Sequence, residues 1–107
     1  MSELPTAYPL RDLFDAAARG RNVRLTCGEC GHVAILHGMG LWWLFQKRGW
    51  MDAFSDVRRR SICMVCWCRF RRKVRNPALD LVEDPPTDTR LNMPSQLEWK
   101  KELRRRR

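Results

Sequence analysis

The five cysteines are the residues best suited to chemistry in this 107-residue chain. Four of them form two C-x2-C pairs, Cys27 with Cys30 and Cys63 with Cys66, and Cys68 follows the second pair at C-x-C spacing. Two intervening residues allow a tight turn to aim both thiolates at one ion, about 2.3 Å from each when the ion is zinc. Gly28 and Gly31 suit the first turn, since they let backbone amides come close to the sulfurs. Two such turns complete a tetrahedral four-sulfur site. Cys27, Cys30, Cys63 and Cys66 are therefore the expected ligands of one structural Zn2+. Residues 31–62 separate the pairs, a longer stretch than the commonest two-pair template has. It has room for a strand, a helix and a second approach strand.

Other uses of these residues follow from the same chemistry. Cys68 is expected to be a small apolar core residue. The alternatives are that it replaces a ligand or serves as a reactive thiol beside arginines. His32 and His37 are possible nitrogen ligands, but four well-spaced sulfurs already fill a site, so both are read as surface or strand histidines. A thioredoxin-like redox pair needs a helix start in a βαβ unit, a context that neither pair has. Four thiolates also suit a rubredoxin-like iron centre, so zinc and iron both remain open. No nucleophile–base pair is visible, and four sulfurs on one ion leave no open coordination position. The chain is expected not to be an enzyme.

The elements that must position the cysteines can be read from periodicity. Residues 1–8 read as a loose arm. From Pro9 to Arg19, the apolar residues Leu10, Leu13, Phe14 and Ala17 lie on one helical face, and Gly20 suits the stop. Val23 and Leu25 alternate against Asn22, Arg24 and Thr26 as a half-buried strand leading into the first pair. "HVAIL" (32–36) is expected to return as the second strand of a hairpin. Leu41 to Arg48 reads as a helix stopped by Gly49, with Leu41, Trp42, Leu44 and Phe45 on its apolar arc and Trp43 on the polar side. A short helix is expected from about Asp52 to Arg59. "RSIC" and "CRFRRKVR" are expected to flank the second pair as strands. On the second of these, Cys68, Phe70 and Val74 would face the core, and Trp67, Arg69, Arg71, Lys73 and Arg75 would face outward. Residues 76–107 read as a linker followed by a short basic helix or tail. Ser95 and Glu98 form a capping-box signature there. The patterned unit is thus residues 9–75, an α+β domain with β-hairpin knuckles, an N-terminal helix and an inserted helix. A core that small rarely supplies more than ~3–5 kcal/mol. A structural zinc contributes ~10 kcal/mol or more of apparent binding energy, which is then folding energy.

"VRLTCGECGH" (Val23 to His32) and "RRRSICMVC" (Arg58 to Cys66) resemble the two knuckles of a zinc ribbon. The order of elements over residues 9–75 is similar to that of small zinc-finger-like proteins of alphaproteobacteria. Such a resemblance implies a zinc-binding fold and no particular activity, since ribbons bind nucleic acid, dock proteins or brace subunits. The second knuckle of a ribbon usually continues with glycine, where this chain has Trp67.

Charge bears on the partner. The formal net charge is +9, falling to roughly +7 with four bound thiolates and one divalent ion. This favours an acidic partner such as DNA or RNA. Residues 58–75 hold eight Arg or Lys and no acid. Arg58, Arg59, Arg60, Trp67, Arg69, Arg71, Lys73 and Arg75 are the expected nucleic-acid contacts, the cations on phosphates and Trp67 stacked on a base. Asp80, Glu83, Asp84 and Asp88 are expected to fold back on the basic strand and compete with nucleic acid. The alternative is a protein-interaction adaptor using Trp43 on its helix. No apolar run approaches the ~18–20 residues that span a bilayer, and the first residues do not read as a signal peptide. Five cysteines and these features lead to a reducing, cytoplasmic setting as the expectation.

Overall fold

A computed structural model of the chain describes residues 11–87 and 91–105. The expected arm at 1–8, Pro9 and Leu10, Asp88, and the last two arginines lie outside the described residues. The fold is α+β, with five helices and a three-stranded antiparallel sheet among the described residues.

The first helix, α1 (Leu13–Ala18), begins where Asp12 accepts a hydrogen bond from the Asp15 amide at 2.9 Å. That cap satisfies one of the amides left free at a helix start. β1 (Asn22–Thr26) and β2 (Val33–Leu36) form the expected hairpin, with Val23 opposite Leu36 and Leu25 opposite Ala34. α2 (Gly38–Arg48) begins three residues earlier than its apolar pattern suggests and ends at Gly49. Gly38 permits that early start. A side chain there would collide with the backbone of Arg21, so only glycine lets α2 approach the entry to β1. α3 (Phe54–Arg60) follows as expected.

Two segments depart from the sequence reading. Residues 68–75, expected as one strand, do not form it: Cys68 to Phe70 finish a helix, α4 (Met64–Phe70), and 71–74 are irregular. Without a glycine after the second pair, the turn continues helically. The Trp67 amide donates to the Cys63 carbonyl at 3.0 Å, and Arg71 ends the helix with φ of 54°. The outward strand face of Trp67, Arg69, Arg71, Lys73 and Arg75 therefore does not form. Only the Ile62–Arg75 bridge resembles the expected pairing.

The segment read as linker supplies β3 (Ala78–Val82), which pairs with β1 and makes it the central strand in the order β2-β1-β3. Leu79 and Leu81 oppose Leu25 and Val23, so they extend the same apolar face. Of the acids expected to fold back on the basic strand, Asp80 and Glu83 pair elsewhere, and Asp88 lies outside the described residues. Asp80 pairs with Arg24 at 3.2 Å and Glu83 with Arg21, both beside β1. The chain then passes to the far edge of the sheet. There the Thr87 amide donates to the Ile35 carbonyl at 2.8 Å, and the Ile35 amide donates to Thr87 Oγ1 at 2.9 Å.

The core lies between α1, α2 and the sheet, around Leu13, Phe14, Val23, Leu41, Trp42, Phe45 and Val57. α5 (Gln96–Arg105) closes it. The Glu98 amide donates to Ser95 Oγ at 3.1 Å, as the capping signature predicts. Trp99 rests 5.2 Å from Trp42 and 5.4 Å from Phe14, ring centre to ring centre.

Candidate metal centre

The two cysteine pairs reach one point from different elements. Cys27 leaves the end of β1, and its amide donates to the His32 carbonyl at 2.9 Å, so the hairpin closes around the first pair. Gly31 carries φ of +75°, which the reversal needs and a residue with Cβ rarely adopts. Cys63 caps the N-terminus of α4, and Cys66 lies in its first turn. The centre therefore combines one hairpin knuckle with one helix start, where two hairpin knuckles were expected.

The geometry of the sulfurs fits one ion. All four lie within 4.8 Å of one another. The Cys27 and Cys66 sulfurs are 3.8 Å apart, and those of Cys30 and Cys63 are 3.5 Å apart. Sulfurs held ~2.3 Å from a central zinc in a regular tetrahedron stand about 3.8 Å from each other. No disulfide joins these cysteines, so the sulfurs are clustered without being bonded. The four residues would hold an ion with four sulfurs, the donor number of a closed tetrahedral site.

Backbone amides surround the sulfurs. Cys27 Sγ accepts from the amides of Glu29 at 3.4 Å and Cys30 at 3.5 Å, Cys30 Sγ accepts from His32 at 3.4 Å, and Cys63 Sγ accepts from Cys66 at 3.4 Å. Hydrogen bonds to a charged group favour its charged form. The Cys30 and Glu29 amides accordingly lower the Cys27 thiol to about 6. Burial, together with the neighbouring sulfurs, pushes Cys66 up to about 12. Cys30 is also raised: the His32 amide draws it down, but burial and the Cys63 sulfur outweigh that pull. Packed without an ion, the cluster therefore holds protons that a divalent cation would displace.

Comparison with protein-family models, curated proteins and solved structures finds no match. The donor set and its geometry are what describe this centre.

The remaining candidates fall into place around it. Cys68 is exposed and outside the cluster, not in the core, because the helical turn carries it away from the position a strand would give it. Phe70, also expected inside, is 63% exposed. His32 is exposed and His37 precedes α2, and neither joins the sulfurs. The basic residues divide into two sets. Arg58 donates to the Pro77 carbonyl at 2.8 Å, Arg59 pairs with Asp56, Arg60 lies 4.2 Å over the Trp50 ring, and Arg75 donates to the Arg59 carbonyl at 3.4 Å. These largely brace the fold. Arg69, Arg71 and Lys73 are exposed, and Arg71 and Lys73 lie 5.5 and 5.8 Å from the Trp67 ring. Arg72, which the sequence reading left out of the contact set, pairs with Glu29 at 2.7 Å and ties α4 to the first knuckle. Its position inside a basic run concealed that partner.

Trp43 is half-buried. It borders a cleft of about 380 Å³ between α2 and α5 with Lys47, Glu98 and Lys101. No described helix is long and apolar enough to cross a membrane.

Proposed function

We propose that this chain is a non-enzymatic zinc module whose ion fixes a basic surface for nucleic acid. The observation that carries the reading is the meeting of two basic segments at the second cysteine pair. Residues 58–60 and 71–75 come side by side through the Ile62–Arg75 bridge, the Cys63 amide on the Val74 carbonyl at 3.0 Å, and the Asn76 amide on the Arg58 carbonyl at 3.1 Å. Of the eight cations, Arg59 and Arg72 are matched by the acids Asp56 and Glu29. Arg58, Arg60 and Arg75 also bond to backbone carbonyls or lie on the Trp50 ring, so Arg69, Arg71 and Lys73 are the cations left for phosphates to neutralise. The adaptor reading is weaker, because Trp43 is half-buried beside α5 and Lys47 lies 5.7 Å over its ring.

The closed four-sulfur geometry suits zinc and iron alike; zinc is the ion we propose, as a redox-inert structural tie, and the thiols suit a reducing, cytoplasmic compartment. A colourless purified protein with one zinc per chain supports that assignment, whereas visible iron–thiolate absorption would replace it with iron. The partner is tested by titrating zinc-loaded protein into labelled DNA and RNA at several salt concentrations. Counterion release predicts a steep linear fall of log affinity with log salt. Affinity that ignores salt would remove the nucleic-acid reading and leave an apolar protein contact in its place.

A further inference from the structure

α4 has an unusual exposed surface. Of its seven residues only Cys66 is buried. Phe70 is 63% exposed and Met64 is 51% exposed, and Phe70 is the one aromatic among the exposed large hydrophobic residues described. Phe70 is the last residue of the helix, with Arg69 and Arg71 on either side in sequence and Lys73 close beyond. Arg69 has no acceptor among the described residues, and Arg71 and Lys73 are engaged only by the Trp67 ring. Trp67 is half-buried, and its ring lies close to two cations. It is therefore poorly placed to stack on a base, the role the sequence suggested for it.

From these observations we infer that α4 is a single-strand binding tip, with an unpaired base stacked on Phe70 and the flanking phosphates on Arg69, Arg71 and Lys73. The inference rests on the nucleic-acid reading above and narrows it to a substrate class. Duplex reading needs side chains that hydrogen-bond to base edges in a groove, most often Arg, Lys, Asn or Gln. The exposed side chains of α4 are Met64, Cys68, Arg69 and Phe70, of which Arg69 alone is a strong donor. Stacking needs only a free aromatic face between cations, and every unpaired base offers a partner for it. The helix is about 10 Å long, which matches a few nucleotides and falls short of a groove-spanning reader. The charge beside the exposed ring also separates this surface from a purely apolar docking site.

The test uses the full-length, zinc-loaded protein and three fluorescent probes of equal length: oligo(dT), oligo(U) and a mixed-sequence DNA duplex, all at 0.1 M salt. Both single strands are expected to bind at least about tenfold more tightly than the duplex. Phe70→Ala should weaken single-strand binding about ten- to a hundredfold, with zinc content and duplex affinity unchanged. Phe70→Trp should restore single-strand binding. Phe70 is mostly exposed, so neither change disturbs the core. Equal affinity for strand and duplex, or a Phe70→Ala variant that binds like the parent, would overturn the inference and leave the broader reading standing. Displacement of the strand by poly-glutamate at equal charge would show that negative charge alone is recognised, and would also overturn it. Failure to bind any probe would remove both.

Discussion

Gly38 meets Arg21 so closely that a Cβ on Gly38 would stand 2.1 Å from the Arg21 carbonyl oxygen. Both partners are backbone, so neither can swing aside. The same junction is fastened by the Gly38 amide on Asn22 Oδ1 at 3.1 Å, and Asn22 Nδ2 reaches the Asp84 carbonyl at 2.8 Å. Gly38→Ala is expected to destabilise the metal-saturated protein by about 3 kcal/mol, read as a lower urea midpoint at unchanged metal content. Gly28→Ala is the control, because a Cβ there meets nothing within 4 Å. Equal midpoints for the two variants would show that α2 can shift to make room.

The ion should matter most to α4, whose one buried residue is a proposed ligand. Stringent chelation is expected to melt α4 and the first knuckle, seen as loss of amide protection at 27–32 and 62–71. Cys63→Ala should lose the metal and Cys68→Ala should keep it, by elemental analysis of the purified variants. Metal lost from Cys68→Ala alone would reassign the ligands.

Acid should release the ion in a defined direction. The Cys66 thiol is raised to about 12 and Cys30 is raised from its ordinary value, so both carry protons at neutral pH without metal. Binding must displace at least those two protons, and each contributes about a tenfold change in apparent affinity per pH unit. Affinity is therefore expected to rise with pH, by at least about a hundredfold per unit between pH 6.5 and 8. Cys27, lowered to about 6, adds its proton only below that value and steepens the loss there. Competition with a chelator of known affinity measures the slope, and a flat profile would contradict the thiolate assignment.

Trp99 is the anchor of the last helix. Trp99→Ala removes its contacts with Trp42 and Phe14 and should cost about 2 kcal/mol. Hydrogen exchange is expected to show α5 opening while the sulfur cluster keeps its metal. Loss of metal in this variant would mean that the two ends of the fold are coupled.

Much of this architecture is written in local pattern. The first hairpin, α2, α3 and the meeting of four cysteines were legible because alternation, helical spacing and paired cysteines are each short-range signals. Residues 68–75 imitate a strand because Arg and apolar residues alternate at their start, although Cys68 to Phe70 belong to α4. The absence of glycine at Trp67 was the better guide, since it favours a continued helical turn. β3 was hidden by its surroundings: Leu79 and Leu81 alternate properly, but Pro77, Pro85, Pro86 and the acids give the stretch the composition of a loop. Its pairing with β1 joins residues more than fifty positions apart, which no local window reveals. α5 offered a fainter cue. Trp99 and Leu103 are one helical turn apart, and both pack on the core.

The Thr87 contact with Ile35 has a bearing on how copies of the chain behave toward one another. β2 is a border strand, and an uncovered border invites pairing with a neighbouring molecule. By occupying the Ile35 amide and carbonyl, Thr87 blunts that border with a segment from the same molecule. Disturbing the Pro85–Thr87 crossing would leave each hairpin open to recruit another, and the first symptom would be fibrous or disordered self-association, with metal still bound.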